Sequence, residues 1–167
     1  MCSAMLYTLI PDGNTGDHSN SYARLIGELQ FIANATRPDI AYAISRLSSY
    51  TTNPTLQHVS ALKRVLRYLL GTRSYGITYS DVLGHPNYFF GYADAAFANV
   101  DDQQSTTGYV FMIAGGTVTW YSKWQSITAL SLTEAEYIAL LETAHEARWL
   151  RSLFKELGFE QVLPTEI

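Results

Sequence analysis

Apolar residues recur along this chain with two different periods, and the change between them falls near residue 75. Up to Gly71 the spacing is three and four, the helical repeat. Ser21 caps a predicted helix through about Asn34, with Leu25, Ile26, Leu29 and Ile32 on one face. Pro38 suits the first turn of a second helix through about Tyr50, with Ile40, Ile44 and Leu47 inward. Asn53-Pro54 starts a third that ends at Gly71, with Val59, Leu62, Leu66 and Leu69 as its stripe. From Tyr75 the pattern is that of strands. Gly76–Ser80 reads as a short one, and Tyr88–Ala93 is apolar on both faces, as a central strand is, ending at Asp94. Thr107–Ala114 and Thr117–Trp124 flank Gly115-Gly116, a hairpin signal.

The stretch Leu130–Gly158 reads as one long helix. Ser131 is its N-cap, Glu134 completes a capping box, and Gly158 is its stop. At about 100° per residue, Leu140, Ala144, Ala147, Leu150 and Phe154 share one apolar stripe, and Glu136 falls on it. The predicted fold class is therefore α+β: a small helical unit, then an antiparallel three-strand meander covered by one long helix. Residues 1–20, with Pro11-Asp12-Gly13-Asn14 and Gly16-Asp17, form a loop-rich entry; residues 21–74 are the helical unit; residues 75–167 are the sheet-and-helix unit. Asp81–Asn87, with Gly84 and Pro86, is a linker or turn.

Composition narrows the picture. A chain of 167 residues, 47% apolar and 13% aromatic, can bury the core of one domain or of one domain and a smaller companion. A net charge of −4 argues against generic nucleic-acid binding by the whole chain and demands a local patch instead. Lys63, Arg64, Arg67 and Arg73 supply one candidate, since Lys63 and Arg67 stand a turn apart. A solvated polar face is the plainer reading of the same four residues. Cys2 is alone, which excludes an internal disulfide and suits a reducing compartment. No apolar run approaches the ~20 residues of a membrane span and no signal-peptide pattern opens the chain, so an intracellular protein without a membrane partner is expected.

Two carboxylates change the picture further. Asp94 ends a strand, and Glu136 lies on the helix expected to cover that strand. Glu136 could equally close a second capping box with Thr133 or sit at the frayed end of the stripe. If the two converge, like charges at close range require a shared proton or a cation. Magnesium or manganese favour such oxygen ligands, and two ions about 3.5–4 Å apart would suit phosphodiester hydrolysis by activated water.

The stretches RPDIAYAISRLSSY (37–50), ALKRVLRYLLGT (61–72), GYADAAFANVDDQQSTTGYVF (91–111) and SLTEAEYIAL (131–140) together resemble the C-terminal part of the polyprotein of copia-type retrotransposons. The resemblance runs from about Tyr22 to Leu157. It implies the helical thumb or connection region of a reverse transcriptase, followed by a ribonuclease H domain incomplete at its C-terminus. That family's enzyme cleaves the RNA strand of RNA–DNA hybrids with two magnesium ions held by acidic side chains. By motif, the strand-end acid is Asp94 and the helix acid is Glu136. The implied partners are an RNA–DNA hybrid and the remaining polyprotein segments; the implied setting is a cytoplasmic virus-like particle or the nucleus.

The chain also departs from that pattern. Where the family reads DADWAGD, this chain has Asp94-Ala95-Ala96-Phe97-Ala98-Asn99-Val100, so the second acid is Ala96 and the tryptophan is Phe97. Gln103-Gln104 stand where the family tends to carry basic residues. The family's third metal-binding acid follows the long helix, whereas Glu160 and Glu166 here lie in a tail expected to be too short to form that strand. That expectation leaves one edge of Tyr88–Ala93 unpaired, and the isolated chain poorly soluble and inactive. A non-catalytic remnant or interaction module keeping only the fold is the alternative, and an unrelated α/β binding domain a third.

Overall fold

The computed structural model describes residues 18–80, 88–97 and 104–167, in two units of which one ends at Gly76 and the other begins at Ile77. The predicted loop-rich entry up to residue 17, with Cys2, lies outside the described residues, as do the linker Asp81–Asn87 and the positions Ala98, Asn99, Val100 and Gln103.

In the first unit, α1 spans His18–Ala35 and starts three residues before the predicted Ser21. Its Tyr22, Leu25, Ile26, Leu29 and Ala33 form one core with Ile40, Ile44, Leu47, Val59 and Leu62. The Tyr22 hydroxyl is buried in that core and donates to the Leu47 carbonyl at 2.8 Å. Burial, then Tyr50, push the phenol pKa up to about 12. The predicted second helix divides into a 3-10 turn, Pro38–Ile40, and α2, Ala41–Ser48. α3 spans Leu56–Gly71 and opens with a capping box, the Thr55 N–H donating to His58 Nδ1 at 3.1 Å.

A polar lock joins the start of the 3-10 turn to the end of α3. Arg37 is only 9% exposed and grips Asp39 with two nitrogens, Nε to Oδ1 at 2.9 Å and Nη2 to Oδ2 at 2.7 Å. The same guanidinium donates to the Thr72 carbonyl at 3.2 Å and to Thr72 Oγ1 at 2.7 Å. Tyr68 donates its hydroxyl to Asp39 at 2.8 Å, and its ring lies 5.5 Å below the guanidinium carbon. The Arg37 hydrogen bond holds the Asp39 carboxyl below its ordinary range, outweighing the opposing effect of burial.

In the second unit β1 (Phe89–Ala96), β2 (Thr106–Ile113) and β3 (Gly116–Trp124) form a sheet of order β1-β2-β3, both pairings antiparallel. This is the predicted meander, with one correction: β2 is the middle strand, and the doubly apolar YFFGYA run lies at the edge. The turn also moves by one residue. Ile113 pairs with Gly116, so Ala114 (φ 47°) and Gly115 (φ 75°) make the two-residue loop. Positive φ at both is what a right-twisted hairpin requires. Gly116 is reserved for close packing, because a Cβ there would run into the Tyr79 ring and the Thr78 carbonyl. Residues 76–80 are not a strand. Ser80 donates its N–H to the Ala114 carbonyl at 2.7 Å and Tyr79 its hydroxyl to the Thr117 carbonyl at 2.8 Å, which ties this segment to the turn.

The long helix, α4, spans Leu132–Glu156. Ser131 Oγ accepts the Glu134 N–H at 3.1 Å, and Glu134 returns a carboxylate oxygen to the Leu130 N–H at 2.7 Å. At the other end Gly158 takes φ 84°, and the Phe159 N–H reaches back to the Phe154 carbonyl at 2.8 Å. Both predicted ends hold. The buried line is Ala135, Ala139, Thr143, Ala147 and Leu150. Its C-terminal half packs on aromatic residues, Phe89 and Phe111 with Tyr109 and Phe154; its N-terminal half packs alanine on alanine, Ala135 and Ala139 with Ala95 and Ala129.

Beyond α4 the chain returns to the sheet. Arg151 donates to the Gln161 carbonyl at 2.6 Å, the Leu163 carbonyl at 2.8 Å and Thr165 Oγ1 at 3.1 Å. The outer edge of β1 then donates from the Gly91 N–H to the Glu166 carbonyl at 2.9 Å. The tail forms no strand, as expected, but one guanidinium gathers it and the edge predicted to be bare gives it one backbone hydrogen bond. Among the described residues no helix is long and apolar enough to cross a membrane.

Two outcomes follow from this packing. A carboxyl with a depressed folded pKa stabilises above its unfolded pKa of about 3.9, and that stability is lost as pH falls through the folded value. Hydrogen exchange in residues 22–33 should accordingly accelerate below about pH 4, and Asp39→Asn should remove that dependence while lowering protection at neutral pH. At Gly91 an added Cβ would stand 2.5 Å from the buried Phe111 ring. Gly91→Ala should cost about 1–3 kcal/mol in denaturant unfolding of the second unit.

Candidate functional site

The two predicted acids sit on the elements expected of them, in different surroundings from those expected. Asp94 lies within β1, opposite Gly108 on β2, and is exposed. Its neighbours Ala93 and Ala95 alternate with it, and Ala95 is buried against Ala135 and Ala139 of α4. The period of two therefore carries the Asp94 carboxylate to the face away from the helix. Glu136 is also exposed. It lines an open groove of about 470 Å³ together with Ala93, Leu132, Thr133, Tyr137, Leu140 and Ile167.

Two expectations are corrected here. Glu136 is not on the sheet-facing stripe, because the buried line runs through Ala135, Ala139 and Thr143, one residue earlier. Leu140, predicted to face the sheet, is 44% exposed. Small side chains are what fit beneath the first turns of α4, where its backbone meets Ala95. The carboxylates consequently do not project from one side of the sheet. What the structure does bring together are their chain neighbours, since Ala95 and Ala135 share one buried cluster and Ala93 shares the groove with Glu136.

Carboxylate oxygens open to solvent suit a magnesium or manganese ion that keeps most of its water. A two-ion centre asks for more, and among the described residues no three acidic, histidine or cysteine side chains could hold a metal. The acid set among the described residues thus falls short of a two-ion centre. Ala96, at the position of the missing second acid, is exposed at the end of β1, and Phe97 beyond it is 40% exposed.

The basic residues keep to one element and its exit. Arg64 and Arg67 are exposed on α3, Lys63 is half-buried there, and Arg73 is exposed just past the helix. Arg67 Nε makes a long contact of 3.4 Å with the Lys63 carbonyl. Periodicity missed three polar side chains that bridge segments: Arg37, Gln125 and Arg151. Their signal in the sequence is slight, a cation before Pro38 and an amide directly after a strand. It also missed Glu146, which accepts from Thr119 Oγ1 at 2.8 Å. Burial first, and then Glu146, push the Tyr109 phenol above its ordinary range.

Comparison with known proteins adds to this geometry. The chain is 42% identical over 141 residues to the retrovirus-related Pol polyprotein from transposon TNT 1-94 of Nicotiana tabacum, a match covering 84% of this chain and 10% of that protein. It is equally 42% identical, over 147 residues, to the Pol polyprotein from transposon RE1 of Arabidopsis thaliana, covering 87% of this chain and 10% of the other. Secreted RxLR effector protein 161 of Plasmopara viticola is 44% identical over 130 residues, 77% of this chain and 90% of the effector. No family model matches the chain, and no solved structure does. These likenesses define a segment of a retrotransposon polyprotein. The chain belongs to the family of copia-type retrotransposon Pol polyproteins. It spans about 10% of the length of those curated Pol relatives.

Because Glu136 is exposed, Glu136→Gln should shift unfolding by no more than about 0.5 kcal/mol, so any loss of function in that variant is a loss of chemistry. For the basic face, the triple change Lys63→Glu, Arg64→Glu and Arg67→Glu should abolish a weak, salt-sensitive affinity for an RNA–DNA duplex in fluorescence anisotropy. Unchanged binding would mean that these cations are merely solvated.

Proposed function

We propose that this chain is the part of a retrotransposon reverse transcriptase in which thumb- or connection-like helices precede a ribonuclease H-like unit, and that the parent polyprotein hydrolyses the RNA strand of RNA–DNA hybrids. One observation carries the reading: Ala95 and Ala135, the chain neighbours of the two motif acids, pack in a single core. The 42% identity to Pol polyproteins supports the context. In this reading Asp94 and Glu136 are the chain's ligands for magnesium or manganese. When bound, such ions would polarise the phosphodiester and lower the pKa of the attacking water. The α3 cations would hold the backbone of the hybrid, and the remaining polyprotein would supply further acids. The reaction would take place in a virus-like particle or the nucleus.

A second reading, a non-catalytic interaction module that keeps the fold, has its own support. The effector relative is matched over 90% of its length, so a segment of this extent occurs as nearly the whole of another protein. The acid set among the described residues is also short of a two-ion centre.

Hydrolysis of a labelled hybrid distinguishes the two. The 167-residue chain alone should leave the RNA intact with either metal. A chimera carrying this chain in place of the matching segment of the tobacco polyprotein should cleave it, and Asp94→Asn or Glu136→Gln should each reduce the rate at least ~100-fold. A chimera that folds but never cleaves would favour the interaction module. Cleavage by the chain alone, lost on Asp94→Asn, would show that two carboxylates suffice.

A further inference from the structure

The C-terminal half of α4 sorts its charges by face. On the sheet side, Glu146 accepts from Thr119 Oγ1 at 2.8 Å, and burial followed by Glu142 pushes the Tyr121 phenol up. Those two acids are directed at the sheet. On the outer side, His145, Arg148, Trp149 and Ser152 fall on one face at spacings of three and four residues. All four are exposed, and together they line a groove of about 300 Å³ whose walls hold no acidic side chain. Ser152 donates its hydroxyl to the Arg148 carbonyl at 3.1 Å and keeps lone pairs free to accept.

The cations of this groove are uncommitted. Arg24 pairs with Glu28, Arg37 with Asp39 and Lys155 with Glu160, whereas neither His145 nor Arg148 has an ion-pair partner among the described residues. Leu150, not Trp149, enters the core, and Trp149 is 56% exposed. Packing thus leaves more than half of the indole in water, beside a guanidinium whose donors are free.

That pairing has a chemical complement. Every nucleobase has a π-face that stacks on an aromatic side chain, and the planar guanidinium fork matches the oxygens of a phosphate. An acidic peptide would satisfy the cations and leave the indole unused. Inside a duplex both faces of a base are already stacked, so the base that reaches Trp149 must come from an unpaired strand.

We propose that the outer face of α4 at His145, Arg148, Trp149 and Ser152 binds single-stranded nucleic acid, with a base stacked on Trp149 and an adjoining phosphate held by Arg148. The site goes beyond the hybrid-cleavage reading, and it does not need Asp94 or Glu136 to hold a cation. It is also separate from the α3 cations, which belong to the first unit.

The test uses the full chain with short fluorescein-labelled oligothymidylate and oligouridylate, read by anisotropy and by quenching of tryptophan fluorescence. Trp149→Ala should weaken single-strand binding about tenfold and remove the quench, while Trp149→Phe keeps most of the affinity. Arg148→Gln should lower the slope of log affinity against log salt by about 0.7. Melting temperatures should not move, because both side chains are exposed. Binding of an RNA–DNA hybrid should be the same in Trp149→Ala as in wild type. The Lys63→Glu, Arg64→Glu, Arg67→Glu variant should retain the quench, so a loss of hybrid binding there concerns the α3 reading alone. Equal affinity for the two strands, or tighter binding of the RNA through its 2′-hydroxyl, both fit the site. Wild type that binds neither strand, or Trp149→Ala that binds them as tightly as wild type, overturns the proposal. Polyglutamate that displaces the strand as well as unlabelled oligonucleotide does also overturns it, in favour of an acidic protein partner.

Discussion

The second unit depends on one interface, the burial of Ala135, Ala139, Thr143, Ala147 and Leu150 against the inner face of β1 and β2. A three-strand antiparallel sheet has little stability without a cover over one face. A helix of 25 residues, in turn, is held chiefly by the face it buries. The interface is graded from aromatic at one end to alanine at the other. The aromatic end supplies the large side chains, and the alanine end permits close approach. Asp94, Glu136 and Gln125 all have their neighbours at the alanine end.

The same grading explains what could be read from the sequence. Element types were legible because burial on one face imposes a period, and the caps were legible because Ser131, Glu134 and Gly158 satisfy backbone groups locally. The buried line of α4 was not. A pattern of apolar residues places Glu136 with Leu140 and Ala144 as readily as it places Ala135 with Ala139 and Thr143, since alanine and leucine both count as apolar. Only the closeness of β1 selects the smaller set, and that closeness belongs to the tertiary structure. For the same reason YFFGYA reads as central. Its second edge is paired by Glu166, from a tail whose return depends on Arg151, and no local pattern announces that contact. The acids were legible from their places on strand and helix and again by motif, but their exposure was not.

Three planar, multi-donor side chains do the joining that apolar packing leaves undone. Arg37 binds Asp39 and the end of α3; Arg151 binds three groups of the returning tail; Gln125 binds α4 to the sheet. Each reaches a backbone carbonyl of another segment, an acceptor that any residue at that position would present. Such joints specify how segments meet without specifying the side chains around them. They also carry a penalty that apolar contacts do not, visible in the orphan oxygen of Gln125. A fold assembled this way can keep its geometry while its surface chemistry changes.

That separation bears on how the departures from the family pattern should be weighed. Ala96 and Gln104 alter no core, for Ala96 is exposed and Gln104 half-buried at the entry to β2. Their effect falls on cation and phosphate binding, and a folded chain is no evidence of a working one. The converse also holds. Asp94 and Glu136 are exposed, so their carboxylates stabilise the fold little and substitution at either leaves the core intact.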